Sequence, residues 1–316
     1  MTERKKIATR DVYGKTLVEL GKVNKDIVVL DADLSCSTKT STFAKEFPDR
    51  FFNMGIAEQD MISTAAGLAS CGKIAFASTF AVFASGRAWD QIRMSLAYTR
   101  LNVKVVVTHA GITTGEDGAS HQANEDIAIM RALPNLTVIV PSDAVETAKV
   151  IQAAAEFNGP AYIRLSRPAT PVINDNADYQ FKIGKGITLK EGKDVTIFAC
   201  GVMVVMALDA ADELAKENIS VKVVNLHTIK PLDKDLIIQS AKETGAVVTA
   251  EEHSILGGLG GAVAEVLVEN YPVPMIRVGI RDVFGESGQP DELLVKYGLT
   301  AKNLAEAAKN VINRKK

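Results

Sequence analysis

The sequence predicts an α/β protein of two consecutive domains, each built on a mainly parallel sheet flanked by helices. Three observations carry that expectation. Short runs rich in Val and Ile alternate with segments of helical period along the whole chain. A single stretch without period and rich in Pro, Asn and Asp, "LSRPATPVINDNADYQ", interrupts the alternation, which then starts afresh. A chain of 316 residues, 47% hydrophobic and 23% charged, is long enough for two cores. Because the strand runs are continuously apolar, both sheets are expected to be parallel and buried on both faces.

In chain order, "TRDVYGKTLVELGKVN" has helical period and "DIVVLDADL" reads as the first buried strand. "FFNMGIAEQDM" then leads into an almost uncharged helical segment, "MISTAAGLASCG". The runs "KIAFAST", "NVKVVVTHA", "LTVIVPS" and "AYIRLSR" read as strands, and "DAVETAKVIQAAAEF" as a helix before the last of them. The expected division is a first domain over 1–170, a linker over 171–190 and a second domain over 191–316. The second domain repeats the alternation with "DVTIFACG", "SVKVVNL", "AVVTAEE" and "MIRVGI".

Charge and motifs remove several functions. Formal net charge is −2 and pI about 6.2, and like charges run together only in "TERKK" and "NRKK" at the ends, read as solvated tails. Neither nucleic acid nor a membrane is therefore expected as a partner. Cys36, Cys71 and Cys200 are far apart and form no CxxC or Cys/His pair, which points to a reducing cytoplasmic setting and no structural metal. Without an N-terminal apolar region or an uncharged run of membrane length in view, neither secretion nor membrane insertion is expected. GxGxxG and GxxxxGK[ST] are both missing, and "GGLGG" at 257–261 reads as a strand-to-helix turn.

Ligands in open α/β sheets sit at the carboxyl ends of strands. Two segments there carry ionisable groups. Glu58 lies ahead of the apolar helix, either as a first-turn acid favoured by the helix dipole or as a functional carboxyl. The strand "VKVVVTHA" runs into the glycine-rich "GITTGEDGASHQANED", which holds Asp117 and brings His109 and His121, two of the four histidines, to one strand end. That pattern suits proton transfer or recognition of hydroxyl and phosphate groups, or an exposed turn shaped by Asp and Gly. Its spacing matches no HExxH or EF-hand metal pattern.

Taken together, "RFFNMGIAEQ", "STFAVF", "THAGITTGEDGASHQ", "LPNLTVIVPSDAVE" and "YIRLSR" occur in the order seen in the pyrimidine-binding half of transketolases, and the chain resembles that family. The resemblance continues through "TIKPLD", "EEHSILGGLGGAVAE" and "FGESGQPDELLVKYGLT", covering nearly the entire chain. GEDG followed by His-Gln is especially typical of transketolase. The family's diphosphate-and-metal motif, Gly-Asp-Gly with Asn some thirty residues on, is not in this sequence. The chain thus resembles the C-terminal subunit of a split transketolase, a thiamine-diphosphate pyrimidine-binding domain followed by a transketolase C-terminal domain.

What the resemblance implies is specific. Glu58 would bond a pyrimidine nitrogen of thiamine diphosphate and favour the imino tautomer that removes the thiazolium proton. An apolar setting would suit it, since desolvation keeps a carboxyl able to donate near neutrality. Phe80 and Phe83 would stack in the pyrimidine pocket, with Gly86 where the family has a third aromatic. His121 and Asp117 would contact donor hydroxyls, His121 taking part in catalysis, and His109 would lie near the phosphate end of a sugar phosphate. Arg10, Ser37 and Arg167 match phosphate-binding positions, and Asp33 lies near the channel. His227 and His253 are read as structural.

The implied reaction is transfer of a two-carbon ketol unit between ketose and aldose phosphates, as in the pentose phosphate pathway. Mg²⁺ or Ca²⁺ would be held mainly by a separate N-terminal subunit, in a two-plus-two assembly. The competing readings are the beta subunit of a 2-oxoacid dehydrogenase decarboxylase component, a deoxyxylulose-phosphate synthase-like subunit, and a non-catalytic assembly or regulatory homologue. The GEDGASHQ loop and the arginines favour transketolase over the first. The second is ordinarily one long chain, and intact Glu58, His121 and Asp117 speak against the third.

Overall fold

A computed structural model describes residues 4–175 and 179–315. Part of the expected linker and the outermost residues of both tails lie outside the described residues.

The described residues form fourteen strands. In order they are β1 (Lys6–Ala8), β2 (Ile27–Asp31), β3 (Phe51–Asn53), β4 (Ile74–Phe80), β5 (Val103–Thr108), β6 (Thr137–Ile139), β7 (Ala161–Arg164), β8 (Ala169–Pro171), β9 (Ile187–Lys190), β10 (Val195–Ala199), β11 (Val221–Asn225), β12 (Thr228–Lys230), β13 (Val247–Ser254) and β14 (Met275–Ile280). One sheet runs β12-β6-β7-β5-β4-β2-β3 and the other β14-β13-β10-β11-β9, while β1 and β8 pair separately. All pairings among β2 to β7 are parallel, as are those among β10, β11, β13 and β14. Within these two sheets the antiparallel strands stand at edges, β12 on β6 and β9 on β11, and the separate β1–β8 pair is antiparallel too.

The Val- and Ile-rich runs are strands because the central strands have no wet face. Every residue of β2, β5 and β7 is buried, and so is every residue of β10 and β11. The helical segments settle where expected, over Thr9–Val23, Glu58–Ser70 and Ala144–Glu156. The last begins at an Asp143 cap that accepts from the Glu146 N–H at 2.8 Å. The other Asp143 oxygen accepts from the N–H groups of Ile173 and Asn174 at 2.7 and 2.8 Å, so one carboxylate fixes a helix start and the chain leaving the first sheet.

Strand β9 falls within residues 171–190, the stretch read as linker, and β12 belongs by sequence to the second half yet closes the edge of the first sheet. A second tie is Glu146, buried at the start of its helix. It accepts from the Ser142 N–H at 2.6 Å and from Asn225 Nδ2 at 2.9 Å, and also from the Tyr179 hydroxyl.

The glycine-rich turn before helix Leu259–Asn270 is filled from within. The N–H groups of Leu259 and Gly260 donate to Glu251 at 2.6 and 2.8 Å, and a Cβ on Gly258 would lie 2.0 Å from that carboxylate. A helix N-terminus that could have taken an anion is thereby satisfied by a side chain of β13. His227 and His253 are both fully buried, and the Ala128 N–H donates to His253 Nε2 at 3.3 Å.

Candidate active site

Parallel neighbours end side by side, and the first sheet's order places the ends of β7, β5, β4, β2 and β3 in one row. Arg167 follows β7, His109 follows β5, Phe80 closes β4, Asp33 and Ser37 follow β2, and Glu58 follows β3. Arg10 joins them from helix Thr9–Val23.

The centre of the row is aromatic. His109 stacks on Phe80 with ring centroids 3.8 Å apart and planes 22° from parallel, and Phe80 stacks on Phe83 at 5.8 Å and 16°. His121 turns its edge to both phenylalanines, at 6.1 and 5.4 Å. His109 has a left-handed backbone, φ 57°, and its carbonyl is held by the Thr114 hydroxyl at 2.7 Å. A non-glycine residue in that region is strained unless its surroundings fix it, and such residues concentrate at functional sites.

Charge gathers at one end of the row. Arg10 Nη1 lies 3.0 Å from the Ser37 carbonyl, to which it donates, and 3.5 Å from His109 Nε2. A guanidinium only donates, so Nε2 accepts and the proton sits on Nδ1, 2.8 Å from the Thr108 hydroxyl. Burial, reinforced by Arg10, Arg167 and His121, pushes the His109 imidazole down to about 3. Burial and repulsion from Arg167 lower Arg10 as well, and its buried Nε has no hydrogen-bond partner among the described residues. Arg167 donates to the Thr114 carbonyl and, at 2.7 Å, to Glu116.

At the other end Glu58 opens helix Glu58–Ser70 and is 4% exposed. The wholly apolar setting expected for it is not what surrounds it: Arg87 Nη1 lies 3.1 Å from its Oε1. A carboxylate shut off from water is costly without a donor or countercharge, and Arg87 supplies both. The guanidinium carbon stands 4.2 Å from the centre of the Phe83 ring. A cavity of about 480 Å³ opens here, lined by Ile56, Ala57, Glu58, Gln59, Asp60 and Arg87. Arg87 is the residue that sequence reasoning missed. The signal was its spacing of four from Phe83, which puts both on one helix face.

Asp33 and Asp117 stand apart from this chain of contacts. Asp33, at φ 63°, pairs with Asn53, whose Nδ2 donates to its carboxylate at 3.1 Å. The Asp117 side chain is exposed and makes no hydrogen bond or ion pair among the described residues. Ser37 meets Arg10 through its carbonyl, not its hydroxyl. Gly86 leaves open space, with nothing within 4 Å of where a Cβ would be.

The second domain braces the loop. Glu252 accepts from the Thr113 N–H at 2.6 Å, and Gly111, at φ 75°, could carry no Cβ because it would fall 2.4 Å from the Glu252 carboxyl. Gln122 Nε2 donates to the Glu286 carbonyl at 2.9 Å, and Gln289 Nε2 to Glu116 at 3.1 Å.

An aromatic wall beside a shielded carboxyl group is the hydrogen-bonding and stacking set that a flat nitrogen ring needs, so the residues present fit the pyrimidine end of thiamine diphosphate. Among the described residues no three His, Cys, Asp or Glu side chains group so as to hold a metal ion, and no helix is long and apolar enough to cross a membrane.

Comparison with known proteins gives a consistent picture. Family profiles described as "Transketolase, pyrimidine binding domain" and "Transketolase, C-terminal domain" match residues 5–172 and 184–304. The chain is 56% identical over 94% of its length to a Methanocaldococcus jannaschii protein named "Putative transketolase C-terminal section", covering 94% of it. It is 47% identical over 97% of its length to the "6-deoxy-6-sulfo-D-fructose transketolase subunit SqwH" of a Clostridium species, covering 95% of that protein. A solved structure described as "Split gene transketolase, inactive beta4 tetramer" superposes with a TM-score of 0.92 at 58% identity, over 98% of this chain and all of that one.

Proposed function

The chain belongs to the transketolase family, with its pyrimidine-binding and C-terminal domains, and from that premise we propose that it is the C-terminal subunit of a split thiamine-diphosphate transketolase. The observation that carries the reading is the unbroken run of contacts from Glu58 through Arg87, Phe83 and Phe80 to His109 and Arg10 at the carboxyl ends of adjacent parallel strands. Thiamine diphosphate, when bound, supplies the carrier for a two-carbon ketol unit passing from a ketose phosphate to an aldose phosphate.

Each part of this chain has a task in that transfer. Glu58 holds or yields a proton at the pyrimidine nitrogen, and its shielding from water keeps the exchange with the ring rather than with solvent. Phe80 and Phe83 give the ring a flat wall. His121, edge-on to both, and Asp117 face the donor's hydroxyls. Arg10, with its unsatisfied Nε, and Arg167 bind the phosphate, beside His109, which stays neutral, adds no third positive charge and steadies Arg10 through Nε2. Asp33 and Ser37 line the approach. The metal and diphosphate are held by a separate N-terminal subunit, in an assembly of two of each chain. The relatives named as a section, a subunit and a split-gene product support this. Three unpaired cysteines suit a reducing cytoplasm.

The substrate assignment is tested by Arg10→Ala and Arg167→Ala in the complex with the partner subunit. The specificity constant for a phosphorylated acceptor is expected to fall by about ten- to a hundredfold, the worth of a charge-assisted contact, while an unphosphorylated small aldehyde is nearly unaffected. Equal losses on both acceptors would make the arginines structural. Wild-type activity on 2-oxoacids without activity on sugar phosphates would move the protein to the oxoacid decarboxylases.

A further inference from the structure

Arg87 touches two groups at once: the shielded carboxylate of Glu58, 3.1 Å from Nη1, and the face of Phe83, 4.2 Å from the guanidinium carbon. A protonated aminopyrimidine would use the same two receptors, donating a ring N–H to the carboxylate and laying its π-face on the phenyl ring. A guanidinium is likewise flat, cationic and rich in N–H donors. We propose that Arg87 is an internal stand-in for the pyrimidine, closing the slot between Glu58 and Phe83 until the cofactor displaces it. This rests on the reading of Glu58 and Phe83 given above and adds a gate to that site.

The surroundings allow a side chain to leave while the backbone stays. The Arg87 side chain is 53% exposed, whereas Glu58 beneath it is 4% exposed, so the arginine is a cover and not part of the core. Gln59 Nε2 donates to the Arg87 carbonyl at 3.0 Å, and the Arg87 N–H donates to the Phe83 carbonyl at 3.0 Å, fixing the main chain on both sides. Gly86, next to it in the chain, leaves open space, with nothing within 4 Å of where a Cβ would be. The gate also solves a problem of the unliganded chain, which otherwise keeps a carboxylate out of water with no countercharge. Arg87 therefore competes with the pyrimidine for Glu58, and it is a positioning residue, not a catalytic one.

The test is binding, not turnover. 4-Amino-2-methylpyrimidine and thiamine diphosphate are titrated into the purified full chain by calorimetry and by the fluorescence of its single tryptophan, Trp89, two residues from the gate. Arg87→Ala is expected to bind both probes about tenfold more tightly than wild type, because a half-exposed ion pair and a cation–π contact no longer compete. A merely structural arginine would leave affinity unchanged or lower it. Either of those results, or no binding by wild type and variant alike, overturns the proposal. Adding Glu58→Gln to Arg87→Ala is expected to abolish the gain. If the gain survives without the carboxylate, Glu58 is not the pyrimidine's partner, and the reading on which the gate rests fails with it.

Discussion

Glu58 and His109 illustrate two opposite treatments of a buried ionisable side chain. Glu58 is given an arginine, while His109 is kept neutral: burial and the two nearby arginines hold its imidazole at about 3 against an ordinary value of 6.5. Because the folded chain binds that proton less readily than the unfolded one, the stability tied to His109 is present above about pH 6.5 and drains away as pH falls toward 3. The role of Glu58 is tested by Glu58→Gln in the complex with the partner subunit. The amide keeps the volume but cannot cycle a proton, so exchange of the thiazolium proton of bound cofactor should slow by about a hundredfold or more. An unchanged exchange rate would return Glu58 to the role of a first-turn helix acid. At this scale the sequence was informative where a residue type is rare, as with His109 and His121. For Arg87, one arginine among many, it offered only the spacing from Phe83, and the meaning of that residue comes from a fold that sets helix Ala81–Gly86 against the start of helix Glu58–Ser70.

Among the elements, those legible in the sequence were the strands with enough Val and Ile to announce burial on both faces. β2, β5, β7, β10, β11 and β14 fall within such runs, and β4 and β13 overlap theirs. The three-residue strands β3, β6 and β12 show the limit. β6 was marked by "LTVIVPS", but β3 lies in a run read for its carboxylate, and β12 owes its strand form to a partner ninety residues away. Pairing between distant segments has no local signature. β13 goes further than its pattern, carrying Glu252 and His253 into the interface between the two sheets' domains. Burial pushes Glu252 up to about 7 from 4.5, outweighing its arginine neighbour and the Thr113 N–H. The folded chain therefore holds the extra proton between about pH 4.5 and 7, and the stability from this group is lost as pH rises through that window. Glu252→Gln keeps an acceptor for Thr113 and cannot ionise. Its melting temperature relative to wild type should climb between pH 5 and pH 8, by the equivalent of about 2 kcal/mol. Parallel melting curves across that range would show that Glu252 does not ionise at the interface.

At the scale of the whole molecule, the first sheet supplies the row of strand ends, and the second domain holds the site loop through Glu252, Gln122 and Gln289. The two halves were legible as separate α/β units, but their interlock was not, since β12 crosses from one to the other only in three dimensions. Glu58, Arg87, Phe83 and Phe80 are brought together within one chain, whereas the described residues offer no cluster for a metal. A diphosphate needs charge compensation that oxygen-ligated Mg²⁺ or Ca²⁺ commonly provides, which the proposed function assigns to the separate N-terminal subunit. The most direct measurement is ketol transfer between sugar phosphates, with thiamine diphosphate and Mg²⁺, by the purified chain alone and after titration with the subunit carrying the Gly-Asp-Gly…Asn motif. The account predicts no transfer by the chain alone and activity that rises with added subunit and levels off at a one-to-one ratio. Full-rate transfer by the chain alone would contradict it.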